Sequence, residues 1–350
     1  MRIARIFAVA ALALIVATLP TLSATNKNIN VILFSWDGVQ REHLKECLSR
    51  NELPNLAALI KEGKLVDIDV TSHATDTKAG HAQMLTGYDP ETTGVYSNSK
   101  FKPIPVGYTI FERLENTLGK DNITTVMLTG KTHHIGNCPP AKPIKPETLD
   151  PGYFPGTDSS PVSGDNTNKP TVKNPNKAKI ANKAAQQNKF GEPWYLVYKN
   201  IDVWDGEKAR NADVVGKLAL EYLDKYDNNR FFMFFHFSDP DSQGHKFGEN
   251  SKEETDAYIL CDKWLGEIIN KLKSHGIYKN TLIYVTSDHG FDEGKKTHKN
   301  APHIFLATND KKIVRGGDQK DIVPTILTEM GIDYTKFDPK LPGKSLTKNN

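Results

Sequence analysis

Cysteine is scarce, with Cys47, Cys138 and Cys261 the only three in 350 residues. Three thiols cannot build the disulfide framework of a small secreted scaffold, and none has the Cys-x-x-Cys spacing of a zinc knuckle. One bridge with a thiol left over is the most they permit, and the sequence does not choose the pair. An excess of charge of one sign is also lacking. The formal balance is +3, and losing Arg2 and Arg5 would bring it to about +1, so no footprint for duplex nucleic acid is expected. The apolar run from Ile6 to Leu19 falls short of the roughly 20 residues of a spanning helix. No internal repeat is visible. No G-x-G-x-x-G follows the first apolar strand, which argues against a plain dinucleotide-binding enzyme.

Arg2 and Arg5, the apolar run and the small residues Ser23 and Ala24 have the layout of a secretory signal peptide over residues 1–24. An exported protein, periplasmic or secreted, with no stable membrane span after cleavage is therefore expected. About 325 residues would remain, enough for one large domain, here taken as 26–345. The oligomeric state is not legible.

Apolar runs rich in β-branched and aromatic residues recur at 30–35, 65–70, 123–128, 231–237, 281–286 and 303–307 and read as buried strands. Amphipathic helical patterns lie at 53–62, 108–118, 209–225, 253–274 and 321–329. This alternation predicts an α/β fold with a mostly parallel central sheet and helices on both faces. Residues 139–193, rich in Pro, Lys, Asn, Ser and Gly, break the rhythm as an insert or flexible cap, and 345–350 reads as a frayed tail.

The strands tend to end in acidic, hydroxyl or histidine residues, and ligands of open α/β sheets bind outside the carboxyl ends of the strands. Asp37 ends the first strand, Asp241 and His245 follow the Phe-rich one, Asp288 and His289 follow 281–286, and His298 comes shortly after. Carboxylate oxygens and imidazole nitrogens suit zinc, and three of each are enough for two sites. Two cations about 4 Å apart would clamp the attacking and leaving oxygens of an in-line displacement at phosphorus. Thr77 enters a helical stretch ending near Thr86. A hydroxyl there sits among free backbone N–H groups at the positive dipole end, which favours an oxyanion and an ionised alkoxide, although such a threonine taken alone reads first as an ordinary cap.

Thr77-Lys78-Ala79-Gly80-His81 resembles the nucleophile motif of the alkaline phosphatase superfamily, in which the attacking Thr or Ser is followed four positions later by His. Asp37-Gly38, Thr86-Gly87, Asn98, Pro240-Asp241-Ser242-x-Gly244-His245 and Asp288-His289-Gly290 resemble its other motifs in order, closest to the type I phosphodiesterase/nucleotide pyrophosphatase branch. That branch usually has Phe-Pro-Asn after the nucleophile. The Lys-Ala-Gly here is closer to some threonine-type alkaline phosphatases and to cofactor-independent phosphoglycerate mutases, which weakens the case for a nucleotide substrate.

The resemblance implies two divalent metal ions, most readily Zn2+. Asp241, His245 and His298 would hold one; Asp37, Asp288, His289 and Thr77 would hold the other. His303 is the alternative to His298, and His81 would support the site from behind. Asn98 would contact a phosphoryl oxygen. Gly130-Lys131-Thr132-His133 resembles the Gly-Lys-x-His stretch of sulfatases, so Lys131 and His133 would stabilise anionic oxygens. The expected activity is hydrolysis of a small phosphate ester through a phosphothreonine. A sulfatase and a catalytically silent binding protein on the same fold remain open, although the sulfatase nucleophile signature is absent.

Overall fold

The computed structural model describes residues 29–140, 191–206 and 208–348. The leader-like segment 1–24 and most of the insert lie outside the described residues. Eight strands, β1 (Asn30–Trp36), β2 (Lys64–Asp69), β3 (Thr124–Thr129), β4 (Val203–Asp205), β5 (Phe231–Phe237), β6 (Thr281–Thr286), β7 (His303–Thr308) and β8 (Gly317–Asp318), form one sheet in the order β4-β3-β5-β1-β6-β7-β2-β8. All neighbouring pairs are parallel except β6–β7 and β7–β2. The expected mostly parallel sheet is present, with β7 alone reversed among the described strands. That reversal matters for the site: the connection 287–302 leaves β6 and enters β7 at the same rim of the sheet.

The helices are α1 (Arg41–Ser49), α2 (Pro54–Glu62), α3 (Thr77–Thr86), α4 (Pro90–Thr93), α5 (Ile110–Leu118), α6 (Ala212–Tyr226), α7 (Asp239–Phe247), α8 (Lys252–Ser274) and α9 (Ile322–Glu329). Side chains alternate across each strand, so every strand but the two-residue β8 feeds two cores. Val31, Leu33, Phe232 and Phe234 pack with residues of α3, α5 and α9, while Ile32, Phe34, Trp36, Met233, Phe235 and Phe237 pack with α1, α2, α6 and α8. Each such buried side chain contributes about 1.5–3 kcal/mol, so β5 anchors the sheet, and a polar residue within it must find partners.

Local chemistry sets the helix starts. Thr109 and Glu112 form a capping box at α5, and Asn211 and Ser251 cap α6 and α8. Two helices have no clear sequence signal. Helix α1 buries only His43, Leu44 and Cys47, too few apolar positions for a visible stripe. Helix α7 is largely polar, yet Pro240 stands where no N–H is needed, and Asp239 and Asp241 occupy the dipole-favoured first turn. The 345–350 stretch is not frayed through 347: Leu346 is buried, its N–H bonds Thr325 Oγ1, and Thr347 bridges Ile313.

Candidate active site: a carboxylate–histidine cluster beside Thr77

The carboxyl rim of the sheet gathers residues from β1, α7 and the 287–302 connection. Asp37, just past β1, is fully buried. Its Oδ2 accepts from His236 Nε2 at 2.8 Å and pairs with Lys131 Nζ at 2.9 Å. His236 Nδ1 accepts the Gly130 N–H at 3.1 Å, which places the ring proton on Nε2 and aims it at Asp37. His236 was not singled out from the sequence, although a lone histidine in the Phe-rich β5 run was the available signal.

Helix α7 supplies Asp241 and His245, one turn apart on one face, with His245 Nε2 3.3 Å from Asp241 Oδ1. His298 Nε2 lies 3.2 Å from His245 Nε2 and 4.0 Å from Asp241 Oδ1. His289 Nε2 lies 3.6 Å from Asp37 Oδ1, 3.9 Å from Asp241 Oδ1 and 3.4 Å from Asp288 Oδ2. Asp288 is fixed from behind by the Gly38 N–H on Oδ1, 3.1 Å away. His303, in contrast, pairs with Asp69 on the sheet surface, outside this cluster.

Two features of this cluster fit divalent cations. Each imidazole directs Nδ1 at a backbone carbonyl: His245 at Lys296 (3.0 Å), His289 at Gly290 (2.9 Å) and His298 at Thr75 (2.5 Å). Donation of that proton leaves an Nε2 lone pair facing the cluster, the form a metal ligand needs. In addition, Asp37 Oδ1, Asp241 Oδ1, Asp288 Oδ2 and His289 Nε2 are buried atoms without a hydrogen-bond partner among the described residues, a costly arrangement unless a cation is coordinated. The electrostatics agree. Three buried carboxylates face one ammonium, and Asp288 is pushed up to about 7 by burial and then by the charge of Asp37. Asp37, although burial opposes it, is held well below the usual carboxylate range by Lys131, His236 and His289. Two triads of ligand atoms, Asp241–His245–His298 and Asp37–Asp241–His289, each lie within 4.8 Å of one another.

Thr77 opens α3, buried beside the cluster, and its Oγ1 is 3.3 Å from Lys131 Nζ. Lys131 also reaches Asp241 Oδ2 at 2.5 Å. Asn98 Oδ1 accepts the Lys78 N–H at 2.9 Å, and the Asn98 N–H bonds Asp76 Oδ2 at 2.7 Å, so the Asn98 amide is held at the start of α3. His81 stands behind, with Nδ1 2.8 Å from the Thr77 carbonyl and 3.3 Å from Asp288 Oδ2, and Nε2 2.9 Å from Ser35 Oγ. A Cβ on Gly80 would lie 2.8 Å from Asp288 Cβ, so only glycine lets α3 pack this close to Asp288. His133 is exposed. The adjacent His134 faces inward instead and is pushed down to about 3, by burial and then by Lys131 and Lys78. Lys78 is buried, 2.6 Å from Glu192 Oε2 and 3.6 Å from the Phe101 ring centroid.

A family model described as type I phosphodiesterase / nucleotide pyrophosphatase matches residues 31–340. The chain belongs to this family. Among curated relatives of this phosphodiesterase-family chain, the bis(5'-adenosyl)-triphosphatase ENPP4 of Homo sapiens is 22% identical over 264 residues, covering 75% of this chain and 48% of that protein. A 2,3-bisphosphoglycerate-independent phosphoglycerate mutase of Clostridium kluyveri is 29% identical over 161 residues, covering 42% of this chain and 29% of that protein. The chain thus spans about half the length, or less, of the curated relatives it matches. Among solved structures, a putative sulfatase from Bacteroides thetaiotaomicron superimposes with a TM-score of 0.58 at 13% identity, covering 91% of this chain and 74% of that one. BT4656 in complex with its substrate D-glucosamine-2-N,6-O-disulfate gives 0.57 at 16% identity, covering 92% and 80%. At these identities the likeness establishes a shared fold. Where the phosphodiesterase family usually carries Phe-Pro-Asn, this member has the buried Lys78 and the close-packed Gly80.

Proposed function

We propose that the chain is a two-metal hydrolase of small phosphate esters, with Thr77 as the nucleophile. The observation that carries this reading is the convergence of unpartnered carboxylate oxygens and imidazole Nε2 atoms beside a threonine hydroxyl at a helix N-terminus. Asp241, His245 and His298 would hold one cation and Asp37, Asp288, His289 and Thr77 Oγ1 the other. The donor set suits Zn2+. Bound there, divalent cations supply a lowered pKa at the attacking oxygen and charge neutralisation at the departing one.

Thr77 gives up its hydroxyl proton to solvent and its Oγ1 attacks phosphorus in line; the bond to the ester oxygen breaks, and the departing alkoxide takes a proton from water and leaves as the alcohol. Lys131 and Asn98, with the backbone N–H groups opening α3, bind the non-bridging oxygens as charge gathers on them. His133 would join them from the solvent side. Water then cleaves the phosphothreonine and regenerates the hydroxyl, a double displacement. His236 and His81 touch no reacting atom; they fix Asp37 and the first turn of α3. Export by the 1–24 leader is part of this reading, and N-terminal sequencing of the mature protein tests it. A silent relative on the same fold would be expected to lose ligands or nucleophile, and every expected position keeps its residue.

Thr77→Ala should lower kcat by about 10³-fold or more while metal content stays at the wild-type level. Retained turnover would mean that another group attacks phosphorus. Parallel assays on aryl phosphate monoester, diester and sulfate esters rank the substrate classes.

A further inference from the structure

A second group of ligand-type side chains lies outside the rim cluster. His43 on α1, Glu249 in the turn after α7 and Glu254 in the first turn of α8 are buried, with exposures of 1%, 7% and 0%. Their ligand atoms all lie within 4.8 Å of one another. His43 Nε2 is 2.9 Å from Thr255 Oγ1, so that nitrogen is already engaged. His43 Nδ1 points inward, 3.2 Å from Glu254 Oε2 and 3.8 Å from Glu249 Oε1, yet it has no hydrogen-bond partner. Glu254 Oε1 is likewise buried without a partner. Each carboxylate spends one oxygen on the backbone: Glu254 Oε2 accepts the Asn250 N–H at 2.6 Å, and Glu249 Oε2 accepts the Gly294 N–H at 2.7 Å.

Two buried carboxylates with no Lys or Arg ion pair among the described residues need a positive charge. A proton on His43 Nδ1 is close enough to supply it, but the ring is not aligned for a hydrogen bond to either carboxylate. A cation in the ring plane between the donors would be met by the Nδ1 lone pair without that line having to end on a carboxylate oxygen. We propose that His43, Glu249 and Glu254 bind a divalent cation, Zn2+ by donor type, at a structural site separate from the rim cluster. Each residue offers one ligand atom, His43 Nδ1 the nitrogen donor and Glu249 and Glu254 the carboxylate donors. A mixed nitrogen and carboxylate set suits Zn2+, whereas Ca2+ takes six to eight oxygens. The site's burial assigns it to structure. It clasps α1 to the turn between α7 and α8 and, through Glu249 and Gly294, to the connection bearing His298.

The test is metal content per chain by mass spectrometry after zinc loading and desalting. His43→Ala, and independently Glu249→Gln, should each lose one equivalent relative to wild type, with a lower Tm that added zinc no longer raises. An Asp241→Asn/His298→Ala double variant should keep that equivalent, so failure of the rim reading and failure of this one are told apart. Equal metal content in wild type and both single variants overturns the proposal. Should both variants fail to fold, anomalous diffraction at the zinc edge from the wild-type chain decides: a peak between His43 Nδ1 and Glu254 supports the site, and its absence overturns it.

Discussion

His236 shows how one buried side chain can govern a site it does not enter. It lies in the most apolar strand, where burial pushes its pKa down, and its position is made tolerable by the Gly130 N–H on one nitrogen and Asp37 on the other. Under the proposed metal reading, a group that orients a ligand as His236 orients Asp37 typically accounts for 10–100-fold in metal affinity. His236→Gln is therefore expected to weaken zinc binding by about that factor with the far-ultraviolet spectrum unchanged, as read by competition against a chromophoric chelator. Unaltered affinity would reduce His236 to a packing residue. The ligand candidates themselves were legible in the sequence because they carry unusual chemistry at strand ends. His236 and His134 were not, because a histidine inside or just past a strand gives no hint of which way it faces until neighbouring strands fix the register.

At the level of elements, α3 sets steric demand against helix propensity. Alanine is a better helix former than glycine by about 1 kcal/mol, so Gly80→Ala would stabilise an isolated α3. In the folded chain the added methyl meets the backbone and Cβ of Asp288, so the variant should show a lower Tm and a reduced kcat together, measured by calorimetry and steady-state kinetics. A rise in Tm would mean that α3 can back away from Asp288 without cost. The six long strands were readable as continuous apolar runs rich in β-branched and aromatic residues and most long helices by their amphipathic period, whereas β4 and β8, at three and two residues, are too short to show either. Helix α7 hid for a different reason. Its sequence is polar because its inward face carries Asp241, 3.3 Å from His245 one turn on, towards the carboxylate–histidine cluster instead of filling a core.

Across the whole molecule, burial works on charges as well as on apolar groups. Glu115 on α5 is 2% exposed, accepts from Thr125 Oγ1 at 2.5 Å, and has its pKa raised, by burial first. A carboxyl whose folded pKa lies above its unfolded one is held more tightly protonated in the native state. Its contribution is thus fully present below the unfolded value near about pH 4 and is lost as pH rises through the folded value. Glu115→Gln should accordingly raise Tm above wild type at pH 8, by about 2 °C, with the gap closing towards pH 4. A gap independent of pH would assign the change to packing. Among the described residues no helix is long and apolar enough to cross a membrane. The reversed strand β7 leaves its mark at this scale too. Because the excursion from 287 to 302 has both feet on one edge of the sheet, residues can be gained or lost in its middle without rethreading any strand. The loop's length therefore has room to drift while Asp288, His289 and His298, near its two ends, keep their places.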